Sequence, residues 1–151
     1  MQQGEHNNGT AWFCTCLLYT SAGAVLLICA LLSEGEVREY LAVARSLGLS
    51  ALVETHGPEE IEQAAKAGAR IIGVNNRNLK DFTVDIGNSA KLRGLVGGGK
   101  VFVSESGIRG PEDLKVLYEN GTDAVLIGEM LMRSLDRKAA LRGLRRELGH
   151  D

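Results

Sequence analysis

Val101-Phe-Val-Ser-Glu-Ser-Gly-Ile-Arg-Gly-Pro-Glu-Asp-Leu-Lys-Val-Leu-Tyr-Glu-Asn-Gly-Thr-Asp-Ala-Val-Leu-Ile-Gly128 contains two aliphatic runs separated by one amphipathic stretch. Each run is apolar over nearly every position, as a parallel strand covered on both faces requires; a half-exposed antiparallel strand would alternate. Pro111 sits where a first-turn proline is tolerated, Leu114, Leu117 and Tyr118 follow at helical spacing, and Gly121 is a C-terminal stop. The stretch therefore reads as strand, helix, strand.

The same rhythm extends upstream. Runs at Ala24–Ile28, Ala51–Thr55 and Ile71–Asn75 precede those at Val101–Glu105 and Ala124–Gly128, which predicts five parallel strands. Ser33 and Glu36 fit a capping box, after which Val37, Tyr40, Leu41, Ala44 and Leu47 recur at helical spacing up to Gly48. Pro58 opens a second helix carrying Ile61, Ala64 and Ala65 and stopped by Gly68. A last helix, Arg137 to Leu148, is expected to turn Ala140, Leu141, Leu144 and Leu148 inward and its arginines to solvent.

With 151 residues, 44% of them hydrophobic and 24% charged, the chain has material for one globular domain. Its 17 Lys and Arg against 19 Asp and Glu leave a net charge of -2, which offers no basic footprint for nucleic acid or an anionic membrane. Three cysteines, Cys14, Cys16 and Cys29, imply no disulfide framework and fit a reducing, cytoplasmic setting. Cys14-x-Cys16 with His6 lacks the spacing and second ligand pair of a zinc site.

Residues 1–21 read as an atypical N-terminal segment, artefactual or disordered, outside a domain spanning 22–151. Ala11 to Leu32 carries no charge over 22 residues, the length of a membrane span, yet no Lys or Arg precedes Arg38 to form a signal n-region or anchor. Its second half, Ala24 to Leu32, reads instead as a buried strand. Cys16-Leu-Leu-Tyr-Thr-Ser21 looks like translated sequencing-adapter read-through.

Polar residues interrupt the aliphatic runs at their C-terminal ends: Glu54, Asn75, and Glu105 with Ser106. In parallel α/β folds ligand groups converge at that edge, because its loops vary without disturbing the sheet. Asn75 shares a strand face with Ile71 and Gly73, and Glu105 with Val101 and Val103, so both can project into a common interior. A Glu54–Glu105 pair would raise one carboxyl by mutual repulsion and supply an acid or base near neutral pH; taken singly, each reads more simply as a salt-bridge or loop-cap residue. Glycines at two neighbouring strand ends, Ser106-Gly107-Ile108 and Ile127-Gly128-Glu129, allow close backbone approach to a ligand. With a short helix expected over Glu129 to Arg133, they form the pattern of a phosphate cradle.

Leu52-Val-Glu-Thr-His56, Gly73-Val-Asn-Asn-Arg-Asn-Leu79, Ser104-Glu-Ser-Gly-Ile-Arg109 and Asp123-Ala-Val-Leu-Ile-Gly-Glu-Met-Leu-Met-Arg133 together resemble indole-3-glycerol phosphate synthase, over about residues 22 to 148. The resemblance implies a (β/α)8 TIM barrel of tryptophan biosynthesis. Its reaction closes the indole ring of 1-(2-carboxyphenylamino)-1-deoxyribulose 5-phosphate with loss of carbon dioxide and water, without cofactor or metal. By position it implies Glu54 for acid–base steps, Asn75 for orienting substrate, and Glu105 as a third catalytic residue. It implies a phosphate cradle of Ser106, Gly107, Gly128 and Glu129, whose carboxylate must point away, and Arg77 holding a carboxylate in place. His56 and Cys29 match no family site.

The departure from the family is as informative. A complete barrel takes eight strands and about 250 residues, whereas five runs are present here, corresponding to strands four to eight, so the N-terminal three are missing. The family's first and third strands carry lysines and another glutamate of the site; the first lysine here is Lys66, on an expected helix. A partial TIM barrel would expose its apolar interior and two strand edges, inviting self-association or a complementing chain. The expectation is a family fragment, inactive alone. The alternatives left open are a non-catalytic phosphate-binding half-barrel that self-associates and another phosphosugar-processing barrel enzyme.

Overall fold

The computed structural model describes residues 23–78 and 81–147. The segment 1–21 and the two cysteines within it lie outside the described residues, as does Leu148. Five strands, β1 (Ala24–Ile28), β2 (Ser50–Thr55), β3 (Ile71–Asn75), β4 (Val101–Glu105) and β5 (Ala124–Leu126), form one sheet in sequence order. Every neighbouring pair is parallel. Helices α1 (Glu34–Ser46), α2 (Pro58–Ala67), α3 (Gly87–Arg93) and α4 (Pro111–Glu119) make the crossovers, and α5 (Glu129–Arg133) and α6 (Arg137–Glu147) follow β5. The short helix after the last strand thus spans the residues its sequence predicts. No described helix is long and apolar enough to cross a membrane.

Local chemistry accounts for the helix ends. The Ser33 hydroxyl accepts from Glu36 N–H while the Glu36 carboxylate accepts from Ser33 N–H at 2.8 Å, satisfying two otherwise orphaned donors. Ser33→Ala is expected to cost about 1 kcal/mol, read from the urea midpoint, since the cap is exposed and water partly replaces it. Pro58 and Pro111 each occupy a first helical turn, and Gly68 ends α2 in the left-handed region at φ 91°.

Strand parity sorts the sheet into two faces. Leu27, Val53, Ile72, Val74 and Phe102 point to the helix layer, where they bury against Val37, Leu41, Ile61, Ala64 and Leu92. The opposite face carries register rows: Leu26, Leu52, Ile71 and Val101 form one, and Ile28, Glu54, Gly73, Val103 and Ala124 the next. This second face is covered only in part; Leu26 is 37% exposed, Val101 42% and Leu126 52%. Uncovered aliphatic side chains on a both-sides-buried strand pattern are what an unclosed barrel interior shows.

Three expectations need correction. β5 stops at Leu126 rather than Gly128: its partner ends at Glu105, beyond which the backbone turns left-handed at Ser106 and Gly107 and offers no further ladder. Tyr118 lies largely in solvent and Leu141 is half exposed, because α4 buries Leu114 and Leu117 and α6 buries Leu144 into a small cluster with Ile108. The run read as a buried strand over Ala24 to Leu32 stops at Ile28, where Cys29–Leu31 close a 3-10 turn, and within it Ala24 and Leu26 stay exposed. No expectation covered crossover helix α3, which is short, glycine-initiated and weak in apolar periodicity.

Candidate active site

Three strand ends bring the polar residues together. Glu54 of β2 is in register with Gly73 of β3, and Asn75 two residues on is in register with Glu105 of β4. Asn75 Nδ2 donates to Glu54 Oε1 at 3.2 Å, and Glu54 and Glu105 are both buried. Glycine at 73 is a requirement of this geometry: a Cβ there would stand 1.8 Å from Glu105 Oε1. The carboxyl of Glu105 lies over the bare backbone of the neighbouring strand.

That seat fixes its protonation. Burial, then the Glu54 charge, then a hydrogen bond with Glu54 that needs a proton, push the Glu105 carboxyl from 4.5 to about 8. Glu105 Oε1 finds no donor of its own. A carboxylic acid that keeps its proton at neutral pH beside a second carboxyl can act as a general acid.

His56 stands next to this pair, a position its sequence context did not single out. Its Nε2 is 3.4 Å from Glu54 Oε1 and its Nδ1 3.2 Å from Glu60 Oε2 at the start of α2. Strand parity is the signal that could have found it, since positions 54 and 56 share a face and Glu60 lies only four residues on, in the first turn of α2. Cys29, in the 3-10 turn after β1, is buried and its thiol is pushed up to about 11 by burial and by the Glu60 charge, leaving it unreactive.

Asn76 is a second residue passed over as a site member. Its Nδ2 donates to Ser104 Oγ at 3.0 Å and to Ser106 O at 3.1 Å, and its Oδ1 accepts from Ser89 N and Oγ at 3.1 and 2.8 Å. The backbone N–H of Asn76 donates to Glu105 O at 2.8 Å. One buried amide thus ties β3, β4 and α3 together at the mouth of the site.

The turn it holds is unusual. Ser106 and Gly107 both have positive φ, 65° and 83°, and serine tolerates that region only with support. At Gly107 a Cβ would meet Val84 Cγ1 at 2.5 Å, so glycine is required there on two grounds. Val84 pairs with Arg77 in an isolated antiparallel bridge, and Arg77 donates to Glu129 Oε2 at 3.0 Å. Glu129 also meets Arg133 at 3.1 Å, which commits its carboxylate to cations. Gly128 caps α5 in the open, with nothing within 4 Å of a built Cβ. Glu54, Asn75 and Glu105 are therefore assembled directly, Arg77 joins Glu129, and Ser106–Gly107 is buttressed from the β3 side. A cleft of about 470 Å³ opens beside them, lined by His56, Glu60, Asn75 and Arg77 among others.

Five parallel βα units with a buried carboxyl pair at the C-terminal strand edge define part of a (β/α) barrel. Solved structures of that shape agree: 3-hexulose-6-phosphate synthase from Salmonella typhimurium superposes with a TM-score of 0.77 at 17% identity, over 95% of this chain and 70% of that one. Thiamine phosphate pyrophosphorylase from Pyrococcus furiosus does so at 0.71 and 20%, over 89% and 63%. The family model for indole-3-glycerol phosphate synthase matches residues 17–144, and the chain belongs to that family. The indole-3-glycerol phosphate synthase of Endomicrobium trichonymphae is 57% identical over 124 residues, covering 82% of this chain and 48% of the relative. That of Leuconostoc mesenteroides is 52% identical over 123 residues, covering 82% and 47%. The chain spans about half the length of the curated relatives it matches.

Proposed function

We propose that this chain carries the C-terminal half of an indole-3-glycerol phosphate synthase site. The whole site would close the indole ring of 1-(2-carboxyphenylamino)-1-deoxyribulose 5-phosphate, releasing carbon dioxide and water, in the tryptophan pathway and in the cytoplasm. The observation that carries this reading is the buried Glu54–Asn75–Glu105 cluster at the strand C-termini of a chain in this family. Glu54 serves the acid–base steps, Asn75 orients substrate against it, and Glu105 supplies a proton held at neutral pH. Ser106, Gly107, Gly128 and the Glu129 backbone receive the phosphate, with Arg77 holding the Glu129 carboxylate aside. No cofactor or metal enters this scheme.

Alone, the chain is inactive in this reading. The charges that would bind the substrate carboxylate are not supplied by Lys66, which lies on α2 in an exposed ion pair with Glu62 at 2.7 Å. A complementing chain or a second copy would cover the apolar rows and the edges of β1 and β5, which have no further strand beside them among the described residues.

Assayed with the carboxyphenylamino substrate, the isolated chain is expected to show no turnover, and turnover is expected once a separate chain bearing the family's first three βα units is added. Robust turnover by the isolated chain would refute its inactivity. Failure of the mixture, together with a dimer whose Tm rises with inorganic phosphate, would favour the non-catalytic half-barrel instead.

A further inference from the structure

Two side chains approach one oxygen of the Glu54 carboxylate. Asn75 Nδ2 donates to Oε1, and His56 Nε2 faces the same Oε1 at 3.4 Å, which leaves Oε2 outside both contacts. The imidazole is itself oriented from behind: Glu60 Oε2 accepts His56 backbone N–H at 2.9 Å and lies 3.2 Å from Nδ1. A carboxylate there can only accept, so Nδ1 carries a proton. Nε2 is buried and has no hydrogen-bond partner, Glu54 Oε1 being the oxygen it faces. A bare Nε2 lone pair against a bare carboxylate oxygen would be repulsive and costly to bury, so a proton belongs between them.

We propose that His56 is a positioning residue for Glu54: oriented by Glu60, it shares a proton with Oε1 and so sets how the Glu54 carboxylate is presented for acid–base work. The inference rests on the proposed role of Glu54, and extends it to a residue outside the matched site. A metal ion does not take the proton's place, because the described residues contain no group of three His, Cys, Asp or Glu side chains able to hold one. The charged groups around the ring are consistent with a shared proton. Glu54 and Glu60 face it directly, Arg77 and Asp85 line the same cleft, Glu105 lies beyond Glu54, and the Cys29 thiol borders Glu60.

The test is imidazole nitrogen NMR on the ¹⁵N-labelled full chain at pH 7, with His56 assigned by the signal lost in His56→Gln. Nδ1 is expected to be protonated and Nε2 displaced from the position of a free acceptor. Glu54→Gln is expected to move the Nε2 signal, and Glu60→Ala to release the ring into mixed tautomers, whereas Glu59→Ala leaves both unchanged. A ring with a bare Nδ1, or one indifferent to Glu54→Gln and Glu60→Ala, overturns the proposal. Should either variant fail to fold, the tautomer of the unsubstituted chain still decides. Because no turnover is read, failure here and failure of the proposed synthase function are separately visible.

Discussion

Glu105→Gln is expected to remove a loss of stability that the unsubstituted chain undergoes as pH rises from about 4.5 to about 8. The raised carboxyl binds its proton more tightly folded than unfolded. Below about 4.5 both states hold that proton and its full stabilising contribution is present; as pH rises, the unfolded chain releases it first, and the contribution is lost by the time pH passes about 8. One proton's difference gives a slope of at most ~1.4 kcal/mol per pH unit. Urea unfolding at half-unit pH steps measures it, and equal pH profiles for the two proteins would sink the idea. Gly73→Ala is the companion variant. Its methyl takes the place now held by Glu105 Oε1, displaces the carboxyl toward water, and is expected to flatten the same slope while Glu105 is still present.

The second large effect is structural. Asn76→Ala deletes four side-chain hydrogen bonds at a residue only 3% exposed, and leaves Ser104 Oγ, Ser89 and Ser106 O to find other partners. At roughly 1–3 kcal/mol for each buried polar group left unsatisfied, and with the two serines still bonding each other at 2.7 Å, the expected loss is about 3 kcal/mol. Asn76→Asp keeps the acceptor for Ser89 but sets a carboxylate against Ser106 O, and is expected to be no better. A urea midpoint unchanged in both variants would show that the network is not what holds the β4 turn.

Much of this molecule was legible in its sequence because the signals are local. Aliphatic runs of strand length, Pro58 and Pro111 at helix starts, the Ser33–Glu36 box and the glycines that end helices each act within a few residues of themselves. Parity along each run likewise placed Asn75 and Glu105 on one face before any strand was paired. The end of β5 and the exposure of Leu141 were not legible, since each is set by what lies beside the element and not by the element.

By itself, then, the sequence determined an alternating parallel α/β chain, the strand ends that carry its polar residues, and, through four motifs, its family. Tertiary structure alone decided that Glu105 rests over Gly73 and keeps its proton, and that Asn76 clamps the Ser106 turn. The reason is physical: the groups that set these states, Gly73 and Glu54 for Glu105 and Ser106 for Asn76, lie 30 to 51 positions away in sequence, and sheet register brings them together.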